Sequence, residues 1–223
     1  MIFPCARQKC AWGVLTSLAD SGLYRAHHAS IREGEEFVLE NHWCAAVACE
    51  GVALVTEKST SFLLAPGDSA WIMPESVIRA ITALSIVLFT IPKEDSLPHS
   101  GAVLRHAKGW GQERWIVNQS VCGKLLDILG AKQCSAHYHE KKDETFTLLC
   151  GEVALDIWHS KQNVSDANPR TFHLTPFTAM RIPPGLVHRF RGIAGYSMIV
   201  ETSTHHEEED SIRLISGDSQ KKG

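Results

Sequence analysis

The chain has 223 residues, of which 44% are hydrophobic and 21% charged, and its formal net charge at pH 7 is −3. This length fits either one large β domain or two domains of about a hundred residues each. The charge balance and the lack of a dense basic run argue against a nucleic-acid-binding or membrane-surface protein. No apolar run is long enough to span a bilayer, and the N-terminal segment lacks the pattern of a secretory signal. We therefore expect a cytoplasmic protein with reduced cysteines.

The predicted elements, taken in chain order, are short strands rather than helices. Apolar residues at helical spacing are nearly absent, whereas short apolar runs recur between Gly, Pro, Asp and Ser residues. The runs are AAVACEGVALV, SFLLAPGDSAWIMP, TALSIVLFTIP, KLLDILG, TFTLLCGEVALDIW and YSMIVET. Many short strands at regular spacing predict an all-β sandwich or barrel.

An internal repeat divides the chain into two halves. Residues 61–80 align without gaps on residues 171–190, and both segments keep the same phenylalanine, two prolines and an arginine in place. The sequence predicts two β domains, a linker rich in proline and charge, and a short polar tail. Their bounds are 1–94 for the first domain, 95–101 for the linker, 102–216 for the second domain and 217–223 for the tail.

Two stretches of the second half carry residues suited to bind a metal. In HYHEKKDETFTLLCG, His137 and His139 point to one side of a strand because alternate side chains share a face. EKKD must form a turn, after which Glu144 opens a new strand and meets the two histidines if that strand faces the interior. In RIPPGLVHRF, a tight turn sets the register of a strand that carries His188. Three imidazoles and one carboxylate suit a divalent Mn, Fe, Co, Ni or Zn ion and leave coordination positions open.

These two stretches resemble the paired motifs of the cupin superfamily. The first has the pattern H-x-H-x4-E-x6-G, and PPGLVH has the P-x-G-x2-H core of the second. Phe177 and Gly192 stand where the second motif usually has glycine and often asparagine, which affects turns rather than ligands. The resemblance implies two cupin (jelly-roll type) β-barrel domains in tandem. It also implies a divalent transition metal held by His137, His139, Glu144 and His188.

The first half resembles a cupin that has lost its metal. Counted from Gly34 with the usual spacing, the two histidine positions become Glu40 and His42, and the position of His188 becomes Ile78. One imidazole, one carboxylate and an isoleucine would bind a metal poorly. We expect this domain to be a metal-free scaffold that contributes to a homodimer, and a residual sugar-binding role is the weaker alternative.

Three further segments resemble cupins that act on sugars. The arrangement H-x-H-x2-K-x-E, which includes Lys142, is similar to the motif of cupin-type aldose–ketose isomerases such as D-lyxose isomerase. The segment ETST begins with Glu201, where those isomerases carry a catalytic glutamate. GWGQERWIVN resembles a segment of type II phosphomannose isomerases and of cupins of surface-sugar biosynthesis.

The resemblance implies isomerisation of a sugar or sugar phosphate through an ene-diolate stabilised by the metal. Glu201 would move the proton, and we expect burial to raise its pKa. Lys142 would stabilise the developing oxyanion. The candidates to hold substrate hydroxyls or a phosphate are Arg181, Arg189, Lys124 and Tyr138.

Several alternatives stay open at the level of sequence. The same ligands suit an iron-dependent dioxygenase, and they also suit a non-catalytic sugar-binding protein. Lys142 in a polar turn and Glu201 at a strand end are equally compatible with solvated side chains. His205 and His206, followed by four acidic residues, could mark a second metal, but a solvated acidic turn is the favoured interpretation.

Overall fold

The computed structural model describes residues 2–92, 100–193 and 195–221. These residues form β strands and loops, with one short 3-10 helix at Glu208–Asp210. The predicted all-β fold of two jelly-roll barrels of the cupin type is confirmed. Most of the predicted linker, 95–101, lies outside the described residues.

The described chain divides into two compact units. One contains residues up to 4, 105–115 and the chain from 124 onward, and the other contains 5–104 and 116–123. The latter unit therefore includes residues 102–104 and 116–123, which the sequence assigned to the second domain. The N-terminal Phe3–Pro4 joins a sheet of the second half, and Ser100–Ala102 joins a sheet of the first half.

The first barrel consists of a seven-stranded and a four-stranded antiparallel sheet, with orders β12-β9-β6-β11-β4-β3-β2 and β5-β10-β7-β8. Its strands are β2 (Arg7–Cys10), β3 (Gly13–Asp20), β4 (Arg25–Ile31), β5 (Glu36–Val38), β6 (Trp43–Glu50), β7 (Ala53–Glu57), β8 (Thr60–Leu64), β9 (Asp68–Ile72), β10 (Val77–Ala80), β11 (Leu84–Ile91) and β12 (Ser100–Ala102).

The second barrel consists of a seven-stranded and a five-stranded sheet, with orders β1-β20-β17-β22-β15-β14-β13 and β19-β18-β21-β16-β23. Its strands are β1 (Phe3–Pro4), β13 (Leu104–Lys108), β14 (Gly111–Asn118), β15 (Val121–Leu129), β16 (Ala136–His139), β17 (Glu144–Cys150), β18 (Val153–Trp158), β19 (Arg170–Leu174), β20 (Thr178–Ile182), β21 (Val187–Gly192), β22 (Tyr196–Thr204) and β23 (Ser211–Ile215).

Strand alternation places an apolar core inside each barrel. In β17, Phe146 and Leu148 point inward and pack in the core, as their two-residue spacing predicts. In β10, Ile78 and Ala80 occupy the corresponding core of the first barrel, and Arg79 between them is exposed. The inward face of β17 therefore begins with Glu144 and continues into hydrophobic core.

Equivalent glycines close the β6–β7 and β17–β18 hairpins. Gly51 and Gly151 have φ angles of 75° and 84°, in the left-handed region that favours glycine. A side chain at either position would also collide with the opposite loop, with Ala83 and Ser197 respectively. The internal repeat thus extends to the turns that set strand register.

Among the described residues, no helix has the length and apolar composition that crossing a bilayer requires. The predicted cytoplasmic location and the predicted homodimer stay predictions.

Candidate functional site

Three histidines meet at the end of the five-stranded sheet of the second barrel. β16 lies between β21 and β23, and His137 is directly opposite His188 in the β16–β21 pair. Their ring centroids are 4.4 Å apart, and that of His139 lies 5.1 Å from His137. One ring nitrogen from each histidine lies within 4.8 Å of the others, so the group could hold a metal ion.

Backbone carbonyls fix the orientation of all three rings. The Nδ1 atom of His137 lies 2.9 Å from the Ser135 oxygen, and that of His188 lies 3.0 Å from the Leu186 oxygen. The Nδ1 atom of His139 lies 3.1 Å from the Asp210 backbone oxygen. Because a carbonyl only accepts hydrogen bonds, Nδ1 carries the proton in each ring and the Nε2 lone pair is available to a metal.

Burial favours the neutral form of His137 and His139. The pKa of His137 is well below its usual value, first because of burial and then because of the neighbouring imidazoles. Burial likewise lowers the pKa of His139, despite the opposing effect of Glu144. Neutral imidazole is the form that binds metals.

Glu144 completes the group of predicted ligands. Its Oε1 atom lies 2.9 Å from His188 Nε2 and 3.7 Å from His139 Nε2. Oε1 and His188 Nε2 are both buried, and neither has a hydrogen-bond partner of suitable geometry among the described residues. Two lone pairs facing each other at this distance repel unless a cation lies beside them. The donor set therefore fits a divalent metal, and the four predicted ligands lie together.

Lys142 joins the ligand carboxylate to a second carboxylate. Its buried ammonium donates to Glu144 Oε2 at 2.7 Å and to Glu201 Oε1 at 2.5 Å. Glu201 extends from β22, opposite Phe146 on β17, and only 5% of its surface is exposed. Neither Lys142 nor Glu201 is a solvated side chain, and both line the cavity beside the histidines.

Lys124 supplies a second cation to Glu201. Its ammonium lies 3.7 Å from Glu201 Oε1, 3.8 Å from Glu113 Oε2 and 4.2 Å from the ring centroid of Trp115. Burial alone would raise the pKa of Glu201, but Lys124 and Lys142 outweigh it and lower the pKa to about 2. The expectation that burial would raise this pKa is therefore wrong, because it ignored the two lysines.

The segment 205–210 contains two buried residues that sequence reasoning placed in a solvated turn. The Asp210 carboxylate accepts hydrogen bonds from the backbone amides of Glu140, Lys141 and Lys142 at 2.9 to 3.3 Å. His206 packs edge-on against Trp115, and burial lowers its pKa to about 4. His205 and residues 207–209 are exposed.

A cavity of about 80 Å³ in the second barrel is lined by His137, His139, Glu144, Lys142, Lys124, Glu201 and His206. Of the four candidates for holding substrate hydroxyls, Lys124 lines this cavity and the other three do not. Arg181 forms a bidentate pair with Asp143, at 2.9 and 2.7 Å. Arg189 is paired with Asp156 and Asp166, and Tyr138 packs beneath Lys161.

The corresponding positions of the first barrel follow from strand register. Phe37 lies opposite Ile78 as His137 lies opposite His188. Cys44 lies opposite Ile72 just as Glu144 lies opposite Ile182. The positions of the first barrel that correspond to the four candidate ligands are therefore Phe37, Leu39, Cys44 and Ile78. Ile78 was predicted, but the assignment of Glu40 and His42 was wrong because spacing counted from Gly34 does not follow the strand pairing.

No family model matches this sequence, and no curated protein matches it. Solved structures of oxalate decarboxylase share its fold. One Bacillus subtilis structure, studied for its Mn(II) centres, has a TM-score of 0.71 and 12% identity, and covers 96% of this chain and 79% of that one. Another, on the substrate-binding mode and reaction specificity of oxalate decarboxylase, has a TM-score of 0.70 and 13% identity over the same shares. At this identity the likeness establishes the cupin fold.

Proposed function

We propose that the second barrel is a metal-dependent enzyme that moves a proton between adjacent carbons of a sugar or sugar phosphate, as an aldose–ketose isomerase. The observation that carries this proposal is the buried contact of Glu201 with Lys142, next to three histidines and Glu144. A base, an ammonium and a metal position in one cavity are the parts that enolisation of a hydroxy carbonyl needs.

His137, His139, Glu144 and His188 would hold the metal through three Nε2 atoms and the Glu144 carboxylate. When bound, a divalent metal would act as a Lewis acid toward a carbonyl and its neighbouring hydroxyl. Solved structures of the same fold include one studied for its Mn(II) centres, which makes Mn²⁺ the first ion to test.

Glu201 would act as the proton carrier in its ionised form. Lys124 and Lys142 hold its pKa at about 2, so it enters the reaction as a carboxylate. A carboxylate accepts the proton from one carbon and returns it to the next. A substrate that displaces the Lys142 ammonium from Glu201 would make Glu201 more basic and leave Lys142 facing the developing oxyanion.

Product formation tests this activity directly. Mn²⁺-loaded protein is incubated in D₂O with aldoses, ketoses and hexose phosphates, and NMR follows both interconversion and loss of the C2 proton. We expect exchange and interconversion with at least one substrate, and loss of both after chelation of the metal. Failure of every sugar and sugar phosphate to exchange would reject the isomerase.

A second candidate is decarboxylation of a small carboxylic acid. Lys124 and Lys142 place two ammonium groups in the cavity, where they could bind a substrate carboxylate. The oxalate decarboxylase fold also favours it. Release of CO₂ from oxalate or another small acid, without sugar exchange, would support this alternative. An iron-dependent dioxygenase would instead consume oxygen and require Fe²⁺.

A further inference from the structure

The first barrel encloses its own cavity, of about 440 Å³. Its walls include Trp12, Leu15, Phe37, Leu39 and Leu88. The Trp12 and Phe37 rings contact each other with centroids 4.8 Å apart and form one aromatic wall. The cavity falls in the range of roughly 300 to 1,000 Å³ that is usual for small-molecule sites.

This cavity corresponds position by position to the cavity of the second barrel. Gly13 approaches the Ser30 carbonyl, just as Gly111 approaches the Asp127 carbonyl, so strands β3 and β4 correspond to β14 and β15. Because Cys44 corresponds to Glu144, Ala46 two residues later corresponds to Phe146. Leu88 lies opposite Ala46 and Glu201 lies opposite Phe146, so Leu88 corresponds to Glu201. The resulting pairs are Trp12 and Trp110, Leu15 and Glu113, His27 and Lys124, Phe37 and His137, Leu39 and His139, Cys44 and Glu144, and Leu88 and Glu201.

The replacements remove both the metal ligands and the charge. Leu15, Cys44 and Leu88 stand where the second barrel has three glutamates, and Phe37 and Leu39 stand where it has two ligand histidines. Burial raises the pKa of the Cys44 thiol to about 12, which keeps it neutral. The first barrel therefore has apolar side chains or a neutral thiol at five positions where the second barrel has glutamates or histidines.

Polar side chains also line the cavity, namely Gln8, His27, His42 and Thr90. His27 stands at the position of Lys124, and burial followed by the nearby Arg25 lowers its pKa, so its imidazole is neutral at pH 7. A neutral imidazole both donates and accepts hydrogen bonds. The charged residues Glu36, Glu40 and Arg25 also line the cavity, but Arg25 is paired with Asp20 at 3.3 Å.

We propose that the first barrel is a binding site for a neutral, largely apolar small molecule that contains an aromatic ring. The ring packs on Trp12 and Phe37, and a hydroxyl or carbonyl of the ligand hydrogen-bonds to His27. A cavity of this size with an aromatic wall, leucines and a few polar groups has the composition of a small-molecule pocket. A charged group is disfavoured against the apolar wall because burying an unpaired ion there is costly. This site is separate from the proposed catalytic cavity and takes a different class of ligand.

Calorimetric titration of the full-length, Mn²⁺-loaded protein with 2-naphthol tests the proposal, with 2-naphthoate as the anionic analogue of similar shape. We expect one 2-naphthol site per chain and binding of 2-naphthoate weaker by about tenfold or more. Leu15→Trp should fill the cavity and weaken 2-naphthol binding by about tenfold or more, and Trp12→Ala should weaken it similarly by removing the aromatic wall. Leu63→Trp, the same change at an exposed leucine of β8, should bind like the wild type.

A measurement on the wild-type protein covers the case in which these variants do not fold. Intermolecular NMR contacts should join 2-naphthol protons to the Trp12 and Phe37 rings, and the His27 imidazole resonances should shift on binding. The proposal is overturned if 2-naphthol does not bind, if it contacts the second barrel instead, or if 2-naphthoate binds equally well.

Discussion

At the scale of single residues, the most informative group is Glu201 with its two lysines. Its ordinary pKa of 4.5 is lowered to about 2, because Lys124 and Lys142 outweigh the effect of burial. A carboxyl whose folded-state pKa is lowered stabilises the fold above its unfolded pKa. That contribution is present above pH 4.5 and is lost as the pH falls toward 2.

Lys124→Met should therefore raise the pKa of Glu201, because it removes one of the two ammonium groups that lower that pKa. Carbon-13 NMR titration of the glutamate carboxyls in metal-free protein measures the shift. Lys141→Met, at an exposed lysine paired with Glu207, is the matched control and should leave the pKa of Glu201 unchanged. An unchanged pKa of Glu201 in Lys124→Met would contradict the electrostatic role given to Lys124.

At the scale of elements, the turn between β16 and β17 sets the site. Residues 140–142 reverse the chain so that Glu144 faces His139, and the Asp210 carboxylate binds the amides of all three turn residues. The Asp210 backbone oxygen also accepts from His139 Nδ1. The segment before β23 therefore holds both a ligand ring and the turn that carries Lys142.

Asp210→Ala should destabilise the protein by about 1–3 kcal/mol, because it leaves amide donors in and beside the site without their acceptor. Because the turn positions His139 and Glu144, metal affinity should fall by about 10- to 100-fold. Urea denaturation and calorimetric Mn²⁺ titration measure the two effects. Glu209→Ala changes an exposed neighbour and is the control. Equal metal affinity in the two variants would show that Asp210 does not position the site.

The spacing of residues in the sequence was enough to predict the candidate metal ligands, but not the residues that surround them. Alternation along β16 and β17 was enough to bring His137, His139 and Glu144 together, because these residues are close in sequence. Lys124 and Asp210 could not be placed beside the site, since their positions depend on pairing between strands far apart in the chain. The resemblance to sugar isomerases suggested Glu201 as the proton carrier. Whether its pKa is raised or lowered depends on Lys124 and Lys142, which sequence reasoning did not place beside it.

At the scale of the whole molecule, each barrel carries a cavity of its own, and the two cavities have different side chains at corresponding positions. The second barrel has three histidines and a glutamate at the metal positions, whereas the first has Phe37, Leu39, Cys44 and Ile78. The repeat was visible in the sequence through the phenylalanine, the two prolines and the arginine that both segments share. The residues that replace the candidate ligands in the first barrel were only partly predicted. Strand register, rather than sequence spacing, identifies which residues of the two barrels correspond.

The protein should accordingly bind one divalent metal per chain. Mn²⁺ titration should give a stoichiometry of one, and saturation at about 100 times Kd should stabilise the fold by about 2.7 kcal/mol. His188→Gln should abolish both effects, whereas Cys44→Ala in the first barrel should preserve them. Two metal ions per chain, or retention of the site in His188→Gln, would contradict the assignment.

The proposed role of Glu201 is to move a proton next to a metal held by the second barrel. Its most direct test is C2-proton exchange by Glu201→Gln, measured by NMR in D₂O on Mn²⁺-loaded protein beside the wild type. We expect the variant to keep metal and sugar binding but to lose exchange by a factor of about 10² to 10⁴. Wild-type exchange rates in Glu201→Gln would contradict it.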